Sequence, residues 1–252
     1  MKVNIIMSVY NSLSTLEKCL ESIFSQSYKN WHMYIIDDAC NDGSEILLSN
    51  IKDKRVTLLK NETNRGLAYS LNKAISLCDG ELIARVDSDD IQHIDRLENQ
   101  VLFMKENPKV DLLCTAAYLK NSKSCKKTIM PTTHKEISSR LKKSNCIIHP
   151  TIMVRANFFC NYGLYNESFL RAQDYELWLR ALKKGAIFGA LNKPLIYYNT
   201  NNYSWPLKTL FRHTYNRLRI FFKYQDITSI KSLIADVLHP YFLKMLSFFY
   251  FV

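Results

Sequence analysis

Apolar positions along the chain fall into two alternating rhythms. KVNIIMSVY, WHMYIIDD, RVTLLK and ELIARV are short apolar runs of the kind that form buried strands. Between them the spacing becomes helical. Leu13, Leu16, Leu20, Ile23 and Phe24 recur along Leu13–Gln26, and DGSEILLSNI reads as a second helix. Leu67, Leu71, Ala74, Ile75 and Cys78 share one face of GLAYSLNKAISLC. This alternation over the first 120 residues predicts an α/β fold with a mostly parallel, Rossmann-like sheet flanked by helices. Ligands of such sheets bind at the carboxyl ends of the strands. The polar clusters fall there: SVYN after the first strand, DDACNDGS after the second, DSDD after the fourth. Three separate segments should therefore meet at one rim.

The pattern weakens over residues 121–150, where NSKSCKK reads as a basic loop and HKEISSRLKK as a short helix. HPTIMVRANFF predicts a strand and a turn. QDYELWLRALKKG predicts a helix closed by Gly185, with Leu177, Trp178, Ala181 and Leu182 on its apolar face. AIFGAL and PLIYYN read as two late strands. From about Tyr203 bulky aromatics mix with Lys208, Arg212, Arg217, Arg219 and Lys223. The expected division is a main domain over 1–202, in halves 1–120 and 121–202, and a C-terminal helical, basic-aromatic extension over 203–252.

Composition narrows the class. A chain of 252 residues with 47% hydrophobic content can bury a large core without staples. Seven scattered cysteines without a C-x-x-C pair, and no leader-like N-terminus, predict reduced thiols and a cytoplasmic location. No apolar run reaches the ~18 residues of a membrane span. The net charge of +11 suits nucleic acid, anionic lipid or a phosphorylated substrate. Neither G-x-G-x-x-G nor a P-loop is present, and no zinc or Ser-His-Asp spacing is visible.

Four constellations carry candidate chemistry. Asp87 and Asp89, at i and i+2 after a strand, can present oxygens to one hard divalent cation; the alternative is a solvated acidic turn, with Asp90 capping the next helix. Asp37 or Asp38 can accept from a base edge, while NDGS makes a turn with Asp42 or Ser44 as cap. Arg65, before a helix opened by Gly66, can reach a diphosphate or simply lie in a loop. Asp174 opens a firmly packed helix, which suits a general base. The helix dipole would depress its pKa, whereas burial or nearby Glu176 would raise it.

SVYN, QSYKNWHMYIIDDACNDGS, NRGLAYSLNKAI, GELIARVDSDD, RLENQ, HPTIMVR and QDYELWLR occur in this order over roughly residues 3–200. Together they resemble the family 2 inverting glycosyltransferases of the GT-A fold, of the kind that builds lipopolysaccharide, lipooligosaccharide or capsular chains in bacteria. The resemblance implies a UDP-sugar donor, a hexose or N-acetylhexosamine, bound mainly by residues 1–120. It implies a glycan or lipid-linked acceptor on the side of residues 121–202. Ser8, Tyr10 and Asn11 match the first nucleotide-binding segment, and Asp38 the aspartate that reads the uracil edge. Arg65 matches the basic residue near the donor. Asp87, Ser88 and Asp89 match the D-x-D motif for Mn²⁺ or Mg²⁺, with Asp89 the direct ligand. Asp174 matches the catalytic base, and His149 and Gln173 lie on the acceptor side. The chain departs from the pattern at Ser8 (commonly Pro), Cys40 (commonly Ser) and Gln173 (frequently Glu), and lacks an arginine after the paired tyrosines.

The implied reaction is a one-step displacement that inverts an α-linked donor to a β product. A peripheral contact of 203–252 with the cytoplasmic face of the inner membrane would fit its basic aromatic texture; a helical subdomain covering the core is the alternative. A nucleotidyltransferase would release pyrophosphate instead of UDP, and lacks support in a glycine-rich, lysine-containing loop. A nucleic-acid binder would show a reading motif, and none is present.

Overall fold

The computed structural model describes residues 1–201 and 207–224, with side chains of the last segment from residue 214. In chain order the first half gives β1 (Val3–Val9), α1 (Leu13–Phe24), β2 (Trp31–Asp37), α2 (Ser44–Ser49), β3 (Val56–Lys60), α3 (Leu67–Ile75), β4 (Leu82–Asp87), β5 (Ile91–Gln92) and α4 (Arg96–Glu106). The second half gives β6 (Leu112–Lys120), β7 (Cys125–Lys127), α5 (His134–Leu141), a 3-10 turn (His149–Thr151), β8 (Met153–Arg155), α6 (Phe158–Tyr162), α7 (Gln173–Lys183), β9 (Phe188–Asn199) and α8 (Leu207–Tyr224).

The strand-face period of two sorts the residues of β1 into two cores. Ile5 and Met7 face one side and pack with Leu16, Leu20 and Ile23 of α1. Ile6 faces the other and packs with Leu71, Ala74 and Ile75 of α3. Each such aliphatic side chain, at most 3% exposed apart from Ile75 at 8%, contributes roughly 1.5–3 kcal/mol through burial. Both sheet faces are thus covered, which accounts for the unbroken apolar runs.

The sheet order is β3-β2-β1-β4-β8-β6-β9-β5, with β7 also on β6. The first four strands are parallel, as the alternation predicts. Beyond β4 the sheet is mixed: β8 runs antiparallel to β4 and β6, and β9 runs parallel to β6. The two late strands predicted are one, Phe188–Asn199. The pairing of β9 with β6 slips around Ala116, which lies opposite Pro194. A proline gives no ladder donor and is tolerated at such an irregularity. The basic loop before residue 128 contains the exposed strand β7.

On α7, Trp178 is fully buried and meets the ring of His149 edge-on at 5.8 Å. The described part of the C-terminal extension, α8, packs on α7. Arg217 lies over Tyr175 at 4.5 Å, and the Tyr224 hydroxyl donates to Glu176 at 2.6 Å. Its other face exposes Tyr215 and Phe222. No described helix is long and apolar enough to cross a membrane. The part of the 203–252 extension after Tyr224, which carries its terminal aromatic run, lies outside the described residues.

Candidate active site

Strand register builds the rim. Ser8 pairs with Asp87 across β1 and β4, and Val9 with Asp37 across β1 and β2, so the polar ends arrive level. Asn11 turns the chain with φ 50°, and its amide exchanges two 3.0 Å hydrogen bonds with Asn41. It ties the loops after β1 and β2 together and does not line the cleft described below. Asp42 fastens the same junction, accepting from Ser44 N–H and from Leu13 N–H at the start of α1, both at 3.0 Å.

Asp38 is 2% exposed. One carboxylate oxygen accepts from the Arg65 backbone N–H (2.9 Å) and the Asn61 amide (2.8 Å). The other accepts from the Gly66 N–H at 2.8 Å. A carboxylate has about four acceptor sites, so one remains for a ligand. Gly66 sits at φ 86°, a conformation that favours glycine. The Arg65 guanidinium is exposed and lies over the Tyr69 ring at 4.3 Å, outside the cleft lining. What Arg65 gives the site is its backbone N–H.

The acidic turn follows β4. One carboxylate oxygen from each of Asp87, Asp89 and Asp90 lies within 4.8 Å of the others. Burial, then the charge of Asp87, pushes the Asp89 carboxyl up to about 6 and also raises that of Asp90. Asp90 does not cap the next helix. The short strand β5 intervenes, α4 begins only at Arg96, and Asp90 is fully buried. One of its oxygens accepts from Asn199 N–H at 2.8 Å; the other has no hydrogen-bond partner among the described residues. Three crowded carboxylates, with the proton affinity of Asp89 and Asp90 raised and one buried oxygen unpartnered among the described residues, fit a hard divalent cation, which would relieve their repulsion. Ser88 is buried with its hydroxyl 2.8 Å from that of Ser12, on the loop after β1.

Two arginines beneath the turn are absent from the candidates drawn from sequence. Arg85, 2% exposed, pairs with Asp87 through Nη2, while its Nε and Nη1 have no hydrogen-bond partner among the described residues. Arg96, 1% exposed, donates to the carbonyls of Arg85 (2.9 Å) and Ile152 (3.2 Å) and to the Gln100 side chain (3.0 Å). It clamps β4 to the segment before β8. The signal for Arg85 was a charge inside the apolar run ELIARV.

The second half supplies the remaining groups. Asp174 stands in the first turn of α7 and accepts from the Asn145 amide at 2.9 Å. Burial outweighs the opposing Tyr175 N–H and raises its proton affinity. Glu176 plays no part in that: it is 1% exposed and turned to Arg180 (3.0 Å) and Tyr224 (2.6 Å). His149 is buried, 2.7 Å from the Tyr165 hydroxyl. Burial and then the Arg85 charge depress its pKa well below 6.5, so it is neutral.

One open cleft of about 680 Å³ unites these groups. Ser8, Tyr10 and Asp38 line it from the ends of β1 and β2, and Asp87, Ser88 and Asp89 from the acidic turn. His149, Gln173 and Asp174 line it from the second half. A carboxylate cluster that fits a cation, a buried acceptor carboxylate and a carboxylate of raised basicity therefore share one volume.

A family model described as Glycosyl transferase family 2 matches residues 4–163. An uncharacterized glycosyltransferase of Methanocaldococcus jannaschii is 31% identical over 231 residues, 88% of this chain and 79% of that relative. The Escherichia coli UDP-Glc:alpha-D-GlcNAc-diphosphoundecaprenol beta-1,3-glucosyltransferase WfaP is 32% identical over 185 residues, 73% of this chain and 71% of that relative. The solved structure of S. aureus TarS 1–349 in complex with UDP-GlcNAc aligns with a TM-score of 0.72 at 20% identity, over 94% of this chain and 72% of that one, a likeness of fold.

Proposed function

Starting from a chain that belongs to glycosyl transferase family 2 and has the GT-A fold, we propose that it moves a hexose or N-acetylhexosamine from a UDP-sugar to a hydroxyl of a lipid-linked glycan, with inversion. The observation that carries this reading is the shared cleft, which joins Asp38, the Asp87–Asp89 turn and Asp174.

Asp174 takes the proton of the acceptor hydroxyl as its oxygen attacks the anomeric carbon. The bond from that carbon to the diphosphate breaks, and UDP leaves with the electron pair. A carboxylate is a weak base, and burial strengthens Asp174 for this task. Attack from the face opposite the leaving group converts an α-linked donor to a β product. Asp87 and Asp89 would hold Mn²⁺ or Mg²⁺, which supplies positive charge against the departing diphosphate. The remaining acceptor site of Asp38 suits an N–H on the base edge. His149, neutral and fixed by Tyr165, suits a hydrogen bond on the acceptor side.

WfaP's name specifies a UDP-Glc donor and a diphosphoundecaprenol-linked acceptor; both kinds of ligand suit this reading. A lipid-linked acceptor would bring the chain to the cytoplasmic face of the inner membrane, where the basic, aromatic segment 203–252 has a surface to meet.

The test is a screen of UDP-sugars for UDP release with Mn²⁺ and lipid-linked acceptors. Release should stop on full chelation and in Asp89→Ala, and pyrophosphate should not form. Transfer that survives chelation would remove the metal from the reading, and pyrophosphate would point to nucleotidyl transfer.

A further inference from the structure

Arg85 is a buried charged group in the cleft that the proposed mechanism leaves unused. It stands on β4, two residues before Asp87 and on the same face of the strand, and lines the cleft with Asp87, Asp89, His149 and Asp174. Its side chain is 2% exposed, yet two of its donors, Nε and Nη1, are buried with no hydrogen-bond partner among the described residues. An unsatisfied buried donor costs roughly 1–3 kcal/mol, more when charged. A guanidinium held this way requires an oxygen from whatever fills the cleft.

The surroundings select the kind of oxygen. Nη2 already contacts Asp87, so the guanidinium has an anionic partner within the protein. A neutral hydroxyl fits the remaining donors better than a second anion. The charge of Arg85 also reaches both sides of the reaction. It favours ionised Asp174 and opposes protonation of His149. The transferred sugar lies between the departing diphosphate and the attacking hydroxyl, so a residue that lines the cleft with both the metal carboxylates and the base is placed to meet it.

We infer that Arg85 is a specificity-determining residue whose Nε–H and Nη1–H donate to hydroxyl oxygens of the donor's transferred sugar. This rests on the reading of the cleft as a nucleotide-sugar site.

The experiment compares wild type with Arg85→Lys, which keeps a cation for Asp87 and removes the two free donors. Binding of UDP and of the UDP-sugar that wild type turns over is measured by calorimetry with Mn²⁺. UDP affinity should change less than about twofold, while the extra affinity given by the sugar should fall at least about tenfold, the scale of a hydrogen bond to a charged group. An equal fall for UDP and UDP-sugar would overturn the inference and assign Arg85 to holding Asp87; no change in either would overturn it too. If Arg85→Lys fails to fold, a wild-type complex with UDP-sugar decides. Nε or Nη1 within about 3.2 Å of a sugar hydroxyl oxygen supports the inference; a contact only to phosphate or Asp87 overturns it. Wild type that binds UDP but no UDP-sugar refutes the donor reading itself, and this inference falls with it.

Discussion

Asp38 and Asp174 are both carboxylates at the mouth of one cleft, yet the chain prepares them in opposite ways. Asp38 comes from the parallel half, at the end of a strand, and spends three acceptor sites on Asn61, Arg65 and Gly66. Asp174 comes from the mixed half, in the first turn of a helix, and accepts from one side chain, Asn145. The first is a fixed acceptor that holds its own loop. The second is a poorly solvated acid with raised proton affinity. Under the proposed function, this difference would separate binding from proton transfer within one volume.

That separation can be broken by experiment. The largest effect is expected from Asp174→Asn, which should lower kcat by about 10²–10⁴-fold while UDP affinity stays within about twofold. Steady-state kinetics and calorimetry together check it; a kcat within tenfold of wild type would remove Asp174 from the role of base. Asp38→Asn should act in the opposite sense. An amide cannot accept from all three donors, so an N–H is left unpaired at roughly 1–3 kcal/mol. UDP affinity should drop about tenfold or more and Tm should fall, with kcat at saturation less affected.

pH separates the pair further. Burial favours the protonated form of Asp174, and only the ionised form is a base. Activity at saturating substrates should therefore rise with pH along a limb lying above the ordinary carboxylate value near 4. Stability has the reverse sign. A raised pKa in the folded state stabilises the fold at low pH, and this contribution is lost as pH rises through that pKa. Asp174→Asn should accordingly match or exceed wild type in Tm at pH 7.5, with the advantage shrinking on acidification. The smallest effect is expected from Arg65→Ala. Its backbone N–H persists and its exposed side chain leaves only the stack on Tyr69, so UDP affinity should change by no more than a few-fold.

The two halves also differ in how far they can be read from sequence. In the first, each functional group sits at the end of a strand that its own apolar run predicts, so Ser8, Asp38, Asp87 and Asp89 were legible as one rim. Burial there contradicts the plain reading only where a charge goes inside, at Arg85, Arg96 and Asp90. Arg96 and Asp90 depend on partners far along the chain, Ile152 and Asn199, whereas Arg85 pairs with Asp87 two residues on. In the second half Asp174 was legible as the start of a packed helix, but its environment was not. Glu176 turns away because Arg180 and Tyr224 capture it, and Tyr224 belongs to a helix whose docking no local pattern announces. β9 appeared as two strands because Lys193 and Pro194 interrupt an apolar pattern that β6 bridges through a slipped register.

The three hydrogen bonds of Asp38 bear on how this chain can diversify. A side chain that supports two successive backbone N–H groups is not free to drift when a different nucleobase is selected, since any replacement dismantles the loop first. Variation in donor choice is therefore channelled to positions that border the cleft without bracing it. Tyr10, half exposed and committed to no side-chain hydrogen bond among the described residues, is such a position, and a library built there should shift nucleotide preference while leaving the scaffold intact.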